Sequence, residues 1–391
     1  MKQVYLYGAI DRFNYGDLLL PVLLKEKLNK ATSENPIEIR VFGTIQSNLS
    51  NFGALPTESL KDFYIALKAN PAFVLVVGGE VLTPNWSTVY SHLPMPQNSW
   101  HASTRALRKI NIQISKFLLG GYGRRPFILN PRYFPYLKGV LYNGVGGKRH
   151  GKYKRSDFKN LKNAHYLSCR DKSVLSVLHK NLPSAELVPD SAIQMSELYT
   201  TERLNHLVSE DIRLLLHEDY IFFQVSLNVA NEIGMESLSE KLHFTAKTYH
   251  KKVVLCPIGT ASGHDDQLAL QQLKELLTDD EFILVEGPSL WDIMGLIASA
   301  SLYIGGSLHG IITSMSFEVP YLFLRDRPKL VAYVDTWGVE ELKGSTTLAN
   351  WEQRVETALQ LKVEKLKKSR DKQLQISEKS FQEMVQIIIN G

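Results

Sequence analysis

Short uninterrupted apolar runs alternate along the chain with longer segments of helical spacing. Val4-Tyr5-Leu6-Tyr7 opens the series, and the pattern predicts a strand over 2–9, a polar glycine loop over 8–16 and a helix over 18–28, with Pro21 accommodated in its first turn. A strand over 38–43 and a helix over 58–68 follow. Phe73-Val74-Leu75-Val76-Val77 has no polar alternation, the pattern of a strand buried on both faces. Further on, a helix is predicted over 104–119, strands near 126–129, 140–144 and 166–169, a helix over 173–180 and a strand over 187–190. Residues 196–219 are polar and charged and read as an interdomain hinge. A second series then begins, with strands over 221–226, 253–257, 282–285, 302–305 and 321–324 and helices over 236–249, 265–277, 290–300 and 310–317. Such β/α alternation implies α/β architecture with two parallel, doubly wound sheets. Residues 352–389 read as helix, expected to pack back on the first domain. The expected division is 1–200, 201–350 and a helical segment 351–391.

Composition adds bounds. At 391 residues, with 44% hydrophobic and 22% charged residues, the chain is long enough for two globular domains. Cys169 and Cys256 lie far apart beside apolar runs and are expected to be reduced, buried thiols of a cytoplasmic protein. No signal-peptide core opens the sequence, and no apolar run reaches membrane-spanning length. The charge distribution says more than the net +5. Between Glu80 and Asp157 there is no acidic residue and there are thirteen Lys and Arg, so this stretch carries +13 and the rest of the chain −8. A solvated face normally mixes both signs. An anionic partner is therefore expected: a phosphorylated substrate, an anionic membrane surface or nucleic acid. Aromatics are interleaved with these cations, but no nucleic-acid motif accompanies them, so nucleic acid is not favoured.

Candidate chemistry clusters where predicted strands end. The most informative stretch is Tyr303-Ile304-Gly305-Gly306-Ser307-Leu308-His309-Gly310, read as strand, tight turn and helix. The first turn of a helix presents backbone N–H groups, a natural anion site. His309 at its mouth either serves a bound phosphate or carboxylate or is a core histidine. Asn14-Tyr15-Gly16-Asp17 follows the first strand, and Asp17 is either a helix cap or a cleft carboxylate. Gly78-Gly79-Glu80 ends the third strand. Residues 83–104 read as a long loop facing substrate, and 145–152 as a basic glycine loop. Arg170 and Asp190 each follow a strand; Arg170 reads as an anion clamp or as half of an ion pair. His264-Asp265-Asp266 precedes a helix, and its aspartates read as caps rather than metal ligands.

These elements together resemble the polysaccharide pyruvyl transferase family. The resemblance rests on Asn14-Tyr15-Gly16-Asp17, Gly78-Gly79-Glu80, Ser168-Cys169-Arg170-Asp171, Pro189-Asp190, Gly306-Ser307-Leu308-His309-Gly310 with Val319-Pro320, and Pro328-Lys329 with Gly338. Two positions depart from the family pattern. Glu80 replaces a third glycine, and Ser307 stands where many relatives have arginine, which leaves Arg325 or Lys329 to supply that charge. The resemblance implies two Rossmann-like domains facing a cleft, as in GT-B glycosyltransferases, and transfer of pyruvate from phosphoenolpyruvate (PEP) to two sugar hydroxyls as a cyclic ketal, with neither metal nor NAD. It implies His309, Arg170 and Asp17 as catalytic residues. The donor would lie on Gly306, Ser307, Leu308, Gly310, Lys329 and Arg325. The acceptor would lie near Asn14, Gly78, Gly79, Glu80, Asp190, Arg124, Arg125, Lys148 and Arg149. That acceptor is expected to be a sugar on a polyprenyl diphosphate, at an anionic inner membrane face. The competing expectations are a GT-B glycosyltransferase using a nucleotide sugar and a non-catalytic binder of anionic glycan or nucleic acid.

Overall fold

Eleven short strands, every neighbouring pair parallel, form two separate sheets in the computed structural model, which describes residues 1–93, 105–148, 151, 153–259 and 265–391. The chain divides into one unit of Met1–Ser191 with Ile376–Gly391 and a second of Ala192–Gln375. The division falls at Ser191, upstream of the expected 200/201, because the polar segment taken for a hinge is helical and belongs to the second unit. Its helices are Met195–Leu198, Thr201–Leu207 and Glu210–Leu215. No helix among the described residues is long and apolar enough to cross a membrane.

The first unit holds β1 (Lys2–Gly8), β2 (Ile37–Phe42), β3 (Ala72–Val77), β4 (Leu137–Val145), β5 (Tyr166–Cys169) and β6 (Glu186–Leu187) in the order β2-β1-β3-β4-β5-β6. β1 sits between β2 and β3, Val4 in register with Ile39 on one side and Phe73 on the other. All six residues of β3 are buried, as its unbroken apolar run requires. The winding reverses between β1 and β3, and in doubly wound sheets that reversal opens a crevice at the carboxyl ends of the strands. The core beneath is aromatic: Tyr7 stacks on Phe63 at 4.8 Å, and Phe42, Trp86 and Tyr142 are fully buried around them.

Three local expectations are corrected. The helix after β1 spans Tyr15–Ala31, so Pro21 lies in its second turn and leaves the Asp17 carbonyl without its helical donor. Residues 126–129 are not a strand. Their buried backbone is satisfied by tyrosine hydroxyls: Tyr7 donates to the Pro126 carbonyl at 3.1 Å, and the Tyr142 hydroxyl accepts from Leu129 N and donates to the Phe127 carbonyl, each at 3.1 Å. The segment 352–389 is two helices, Trp351–Leu359 and Val363–Asn390.

The second unit holds β7 (Tyr220–Gln224), β8 (Lys252–Leu255), β9 (Phe282–Leu284), β10 (Leu302–Gly305) and β11 (Tyr321–Phe323) in the order β11-β10-β7-β8-β9. Here the winding reverses between β7 and β10. The pairing of two such Rossmann-like units in one chain is a GT-B-like architecture.

The helix Val363–Asn390 begins in the second unit, where Tyr333 donates to Gln373 Oε1 at 3.2 Å, and from Ile376 belongs to the first. There the Tyr166 hydroxyl meets Ser380 Oγ at 2.7 Å, Lys27 pairs with Glu378 at 2.5 Å, and Phe381, Met384, Val385 and Ile388 are buried. The lysines and arginines that the sequence clusters over 362–372 lie among acids: Lys367 pairs with Asp371, and Arg370 with Glu318 and Asp371. That is a mixed, solvated face.

Met384→Ala and Ile388→Ala should each cost about 2–5 kcal/mol of stability through lost burial and a residual cavity, whereas exposed Lys379→Ala should change it by less than about 0.5 kcal/mol. Urea denaturation of the full chain checks this. Equal losses at all three positions would show that the helix does not pack as described.

Candidate functional site

In both units the polar side chains gather at the carboxyl ends of the strands, and each gathering has its own logic. In the first unit, Asp17 sits in the first turn of helix Tyr15–Ala31, and its Oδ1 accepts from Gly79 N at 3.3 Å. It therefore reaches across the β1/β3 reversal instead of capping its own helix. Asn14 holds the N-cap position without a side-chain capping bond. Gly78 has φ +132°, a conformation that favours glycine, so the sharp exit from β3 depends on it. Gly79 O accepts from Gly146 N at 2.6 Å, and Leu82 N donates to Gly146 O at 3.1 Å, which zips the ends of β3 and β4 together.

Arg170 leaves β5 directly onto this junction. A Cβ on Gly146 would stand 2.7 Å from its Nε and Nη2, so the glycine makes room for the guanidinium. Arg170 Nη1 pairs with Asp190 Oδ2 at 2.8 Å, and both side chains are nearly solvent-free. Burial works against the charge on Arg170, but Asp190, with Asp171 and Glu80 beyond it, outweighs burial and holds the guanidinium above its ordinary value. Asp171, adjacent in sequence, instead caps helix Lys172–Leu178 by accepting from Val174 N at 2.8 Å, and burial pushes its carboxyl up. The clamp and the strand-end carboxylate read separately from the sequence are thus one buried ion pair.

The cations expected to hold the acceptor lie differently. Arg124 and Arg125 both engage buried Asp157, and Arg125 also donates to the carbonyls of Thr83 and Pro84. Lys148 is largely exposed and stands 3.8 Å from Glu80. Arg149, the second half (94–104) of the expected loop 83–104 and His264 lie outside the described residues.

In the second unit, β10 ends in Gly305, and helix Leu308–Ser316 starts behind an N-cap at Ser307, whose Oγ accepts from Gly310 N at 3.3 Å. The glycines have distinct tasks. Added Cβ atoms on Gly305 and Gly310 would meet the Tyr303 hydroxyl at 2.4 and 2.3 Å. One on Gly306 would find a single neighbour within 4 Å, Gln224 Oε1 at 3.9 Å. Two glycines therefore accommodate Tyr303, and the third leaves space above the turn. His309 is buried to 9% exposure in the first helical turn, and the hydroxyls of Thr313, Ser314 and Ser316 are all buried in the same helix.

A polar chain fixes this turn. Gly306 N donates to Gln224 Oε1 at 2.8 Å, and Gln224 Nε2 donates to Asp266 Oδ2 at 2.7 Å. The same oxygen accepts from Ile258 N and Gly259 N, each at 3.1 Å. Asp266 is therefore not a cap but the hub at the ends of β7 and β8. Burial pushes its carboxyl up to about 7, against the opposing pull of Gln224, the two backbone amides and Arg327. Arg327, just before helix Pro328–Trp337, donates to Ser226 Oγ at 3.3 Å at the end of β7, and burial lowers its proton affinity. Arg325, in contrast, is about half exposed and paired with Glu232.

Gln224, Arg327 and the packing role of Tyr303 are missed by the sequence reading. Gln224 left one signal, a lone amide closing the apolar run Tyr220-Ile221-Phe222-Phe223. The two cysteines are free and buried, and burial pushes the Cys169 thiol up to about 12 and Cys256 upward as well, which makes both poor nucleophiles.

The raised Asp266 carboxyl carries a pH dependence. Unfolded, it titrates near 3.8; folded, near 7. Its neutral form thus favours the fold fully below the unfolded value, and this contribution declines as pH rises and is lost above about 7. Asp266→Asn mimics the neutral acid and should flatten the fall in stability between about pH 4 and 7 expected of the parent chain. Urea midpoints across that range measure it; parallel curves would show that Asp266 does not titrate there.

Comparison with known proteins places these clusters in a family. The family model of polysaccharide pyruvyl transferases matches residues 14–325, a span from Asn14 through Asp17, Gly78, Arg170, Asp190 and His309 to Arg325. No curated protein matches the sequence. Among solved structures, a UDP-GlcNAc 2-epimerase from Methanocaldococcus jannaschii, crystallised with UDP-GlcNAc and UDP, is similar with a TM-score of 0.59 at 13% identity over 100% of both chains. The UDP-GlcNAc 2-epimerase of Neisseria meningitidis bound to UDP-GlcNAc is similar with a TM-score of 0.58, also at 13% identity and 100% of both chains. At such identities the likeness is one of fold. The family match spans most of the chain, and on that ground the protein is a sugar-modifying enzyme that belongs to the polysaccharide pyruvyl transferase family.

Proposed function

We propose that the protein transfers pyruvate from PEP to two hydroxyls of a sugar in a lipid-linked polysaccharide precursor, forming a cyclic ketal. The observation that carries this reading is the turn Gly306–Gly310 within the family match: a helix N-terminus, an open face over Gly306, His309 in the first turn and Arg327 close by. The reaction balances as follows. C3 of PEP gains a proton and becomes a methyl group, C2 forms two bonds to sugar oxygens, and its bond to the phosphate oxygen breaks. Two hydroxyl protons are released; one ends on C3 and the other on departing phosphate.

The first helical turn suits an anion through its N–H groups and dipole. His309 is assigned the proton transfer at C3 or at the leaving phosphate. Ser307 takes up its own helix cap and adds no charge, and Arg327 is assigned that charge in its place, with Lys329 beside it. Arg325 is the lesser candidate because Glu232 engages it. In the first unit, Arg170 is assigned an anionic group and Asp17 the hydroxyl proton. Asp190 is assigned to orient Arg170 rather than to act as a base, since it is bound to that guanidinium.

A second reading is a transferase using a nucleotide sugar. What favours it is the shared fold of epimerases crystallised with UDP-GlcNAc. The two readings separate in one assay, phosphate release from PEP with nitrophenyl or lipid-linked galactosides, glucosides and mannosamines. Acceptor-dependent release is expected. Silence with every acceptor, together with protection of the protein by a UDP or GDP sugar, would replace the first reading with the second.

Within that assay, His309→Gln should lower kcat by about 10²–10⁴-fold with the fold retained. Arg327→Gln should raise the KM for PEP by about 10- to 100-fold, the scale of one charged hydrogen bond, and exceed the effect of Arg325→Gln. Near-normal turnover of the His309 variant would mark it as a core histidine. A larger effect at Arg325 than at Arg327 would reverse their assignment.

A further inference from the structure

The acid-free stretch holds more than cations. Helix Arg105–Leu118 ends with Ile114, Phe117 and Leu118 exposed at 43%, 85% and 52%, and Tyr122 and Tyr133 follow at 49% each. The spacing i, i+3, i+4 puts the first three on one helical face. The other side of the same helix end is anchored: Ser115 and Leu119 are buried, and Trp86 packs so closely on Gly121 that a Cβ there would fall within 2.4 Å. Tyr122 is held by Tyr64 edge-on at 4.6 Å and touches Tyr133 at 5.9 Å. A large apolar face on a fixed support marks an interaction site.

We propose that this tip inserts into the interfacial region of an anionic membrane leaflet. Ile114, Phe117 and Leu118 enter the headgroup–acyl boundary, the tyrosines lie at headgroup level, and exposed cations of the same stretch, among them Arg132 and Lys138, bind lipid phosphates. The charge pattern selects the occupant. A stretch without one acid offers a second copy no carboxylate to pair with its exposed cations, which disfavours a self-association surface. The most exposed groups include two aliphatic side chains, which cannot stack on bases as a nucleic-acid platform requires. Basic residues combined with Phe and Leu on one helix face match an interfacial element that lies on the bilayer without spanning it.

The inference does not depend on the transfer chemistry, and its test contains neither PEP nor sugar. Full-length protein is sedimented with phosphatidylcholine vesicles with and without phosphatidylglycerol. Binding is expected to the anionic vesicles and to weaken with salt. Phe117→Ser with Leu118→Ser should reduce partitioning at least about tenfold with an unchanged thermal transition. Leu214→Ser, which removes an exposed apolar side chain of the second unit, should leave it unchanged. Phe117→Trp provides a reading that needs no truncated side chain: its emission should shift to the blue with anionic vesicles. Sedimentation without that shift would show adsorption by charge alone and overturn insertion. Partitioning equal in parent and double-serine chains would do the same, as would loss of a dimer in light scattering, or RNA binding that depends on Phe117 without vesicle binding.

Discussion

A single buried carboxyl group sets the geometry at the mouth of the second sheet. Asp266 Oδ2 accepts the amides of Ile258 and Gly259 at the end of β8 and the side-chain N–H of Gln224 at the end of β7. An amide side chain has one donor end and one acceptor end. Once Asp266 takes the donor end, the acceptor end must face Gly306, so the direction of the β10 exit is decided two residues away from the turn itself. Tyr303 completes the constraint from below, where its hydroxyl leaves room for glycine alone at positions 305 and 310. Helix Leu308–Ser316 can then begin in one place, with His309 in its first turn. The burial that raises the Asp266 carboxyl to about 7 is the cost of this arrangement, and Arg327 moderates it.

The first unit solves a similar problem with opposite charges. Arg170 and Asp190 leave adjacent strands and meet at 2.8 Å almost without solvent, over a glycine that yields its side-chain volume to the guanidinium. In the same unit, at the exits of β1 and β2, Asp11 accepts from Thr44 N at 2.6 Å and Ile45 N at 3.1 Å and pairs with Arg12, which joins those two exits. Removing charges from water costs about as much as such pairing returns. These pairs are therefore better understood as fixing where strand exits point than as sources of stability. That view also explains why the carboxyl ends carry them while the sheet interiors are apolar.

The fold was largely legible because buried parallel strands leave an unmistakable run of apolar residues. Tyr166–Cys169 and Leu302–Gly305 fall where the pattern puts them. The run at 126–129 misled for a physical reason: hydroxyls of Tyr7 and Tyr142, more than ten residues away, satisfy its backbone, and no local pattern reveals a partner so distant. The candidate site was legible in part. His309, Asp17 and Arg170 stand out because glycines and polar residues at strand ends break the apolar pattern. Gln224 and Arg327 do not stand out, since their meaning lies in contacts with Asp266 and Ser226 across 42 and 101 residues of sequence.

Charge counted along a sequence is not charge presented to a partner. Of the thirteen cations between Glu80 and Asp157, Arg124 and Arg125 are drawn onto Asp157, the acid that ends the stretch, and Arg125 also secures the carbonyls of Thr83 and Pro84. Lys148 faces Glu80 at its other boundary. The flanking acids thus engage the edges of the stretch, whereas its middle holds the exposed Arg132 and Lys138, without an ion pair among the described residues, and the exposed Phe117 and Leu118. Diffuse positive charge attracts anions of any kind. Apolar side chains held rigidly beside it narrow the choice, because only a surface that is anionic at one depth and apolar a few ångströms deeper satisfies both.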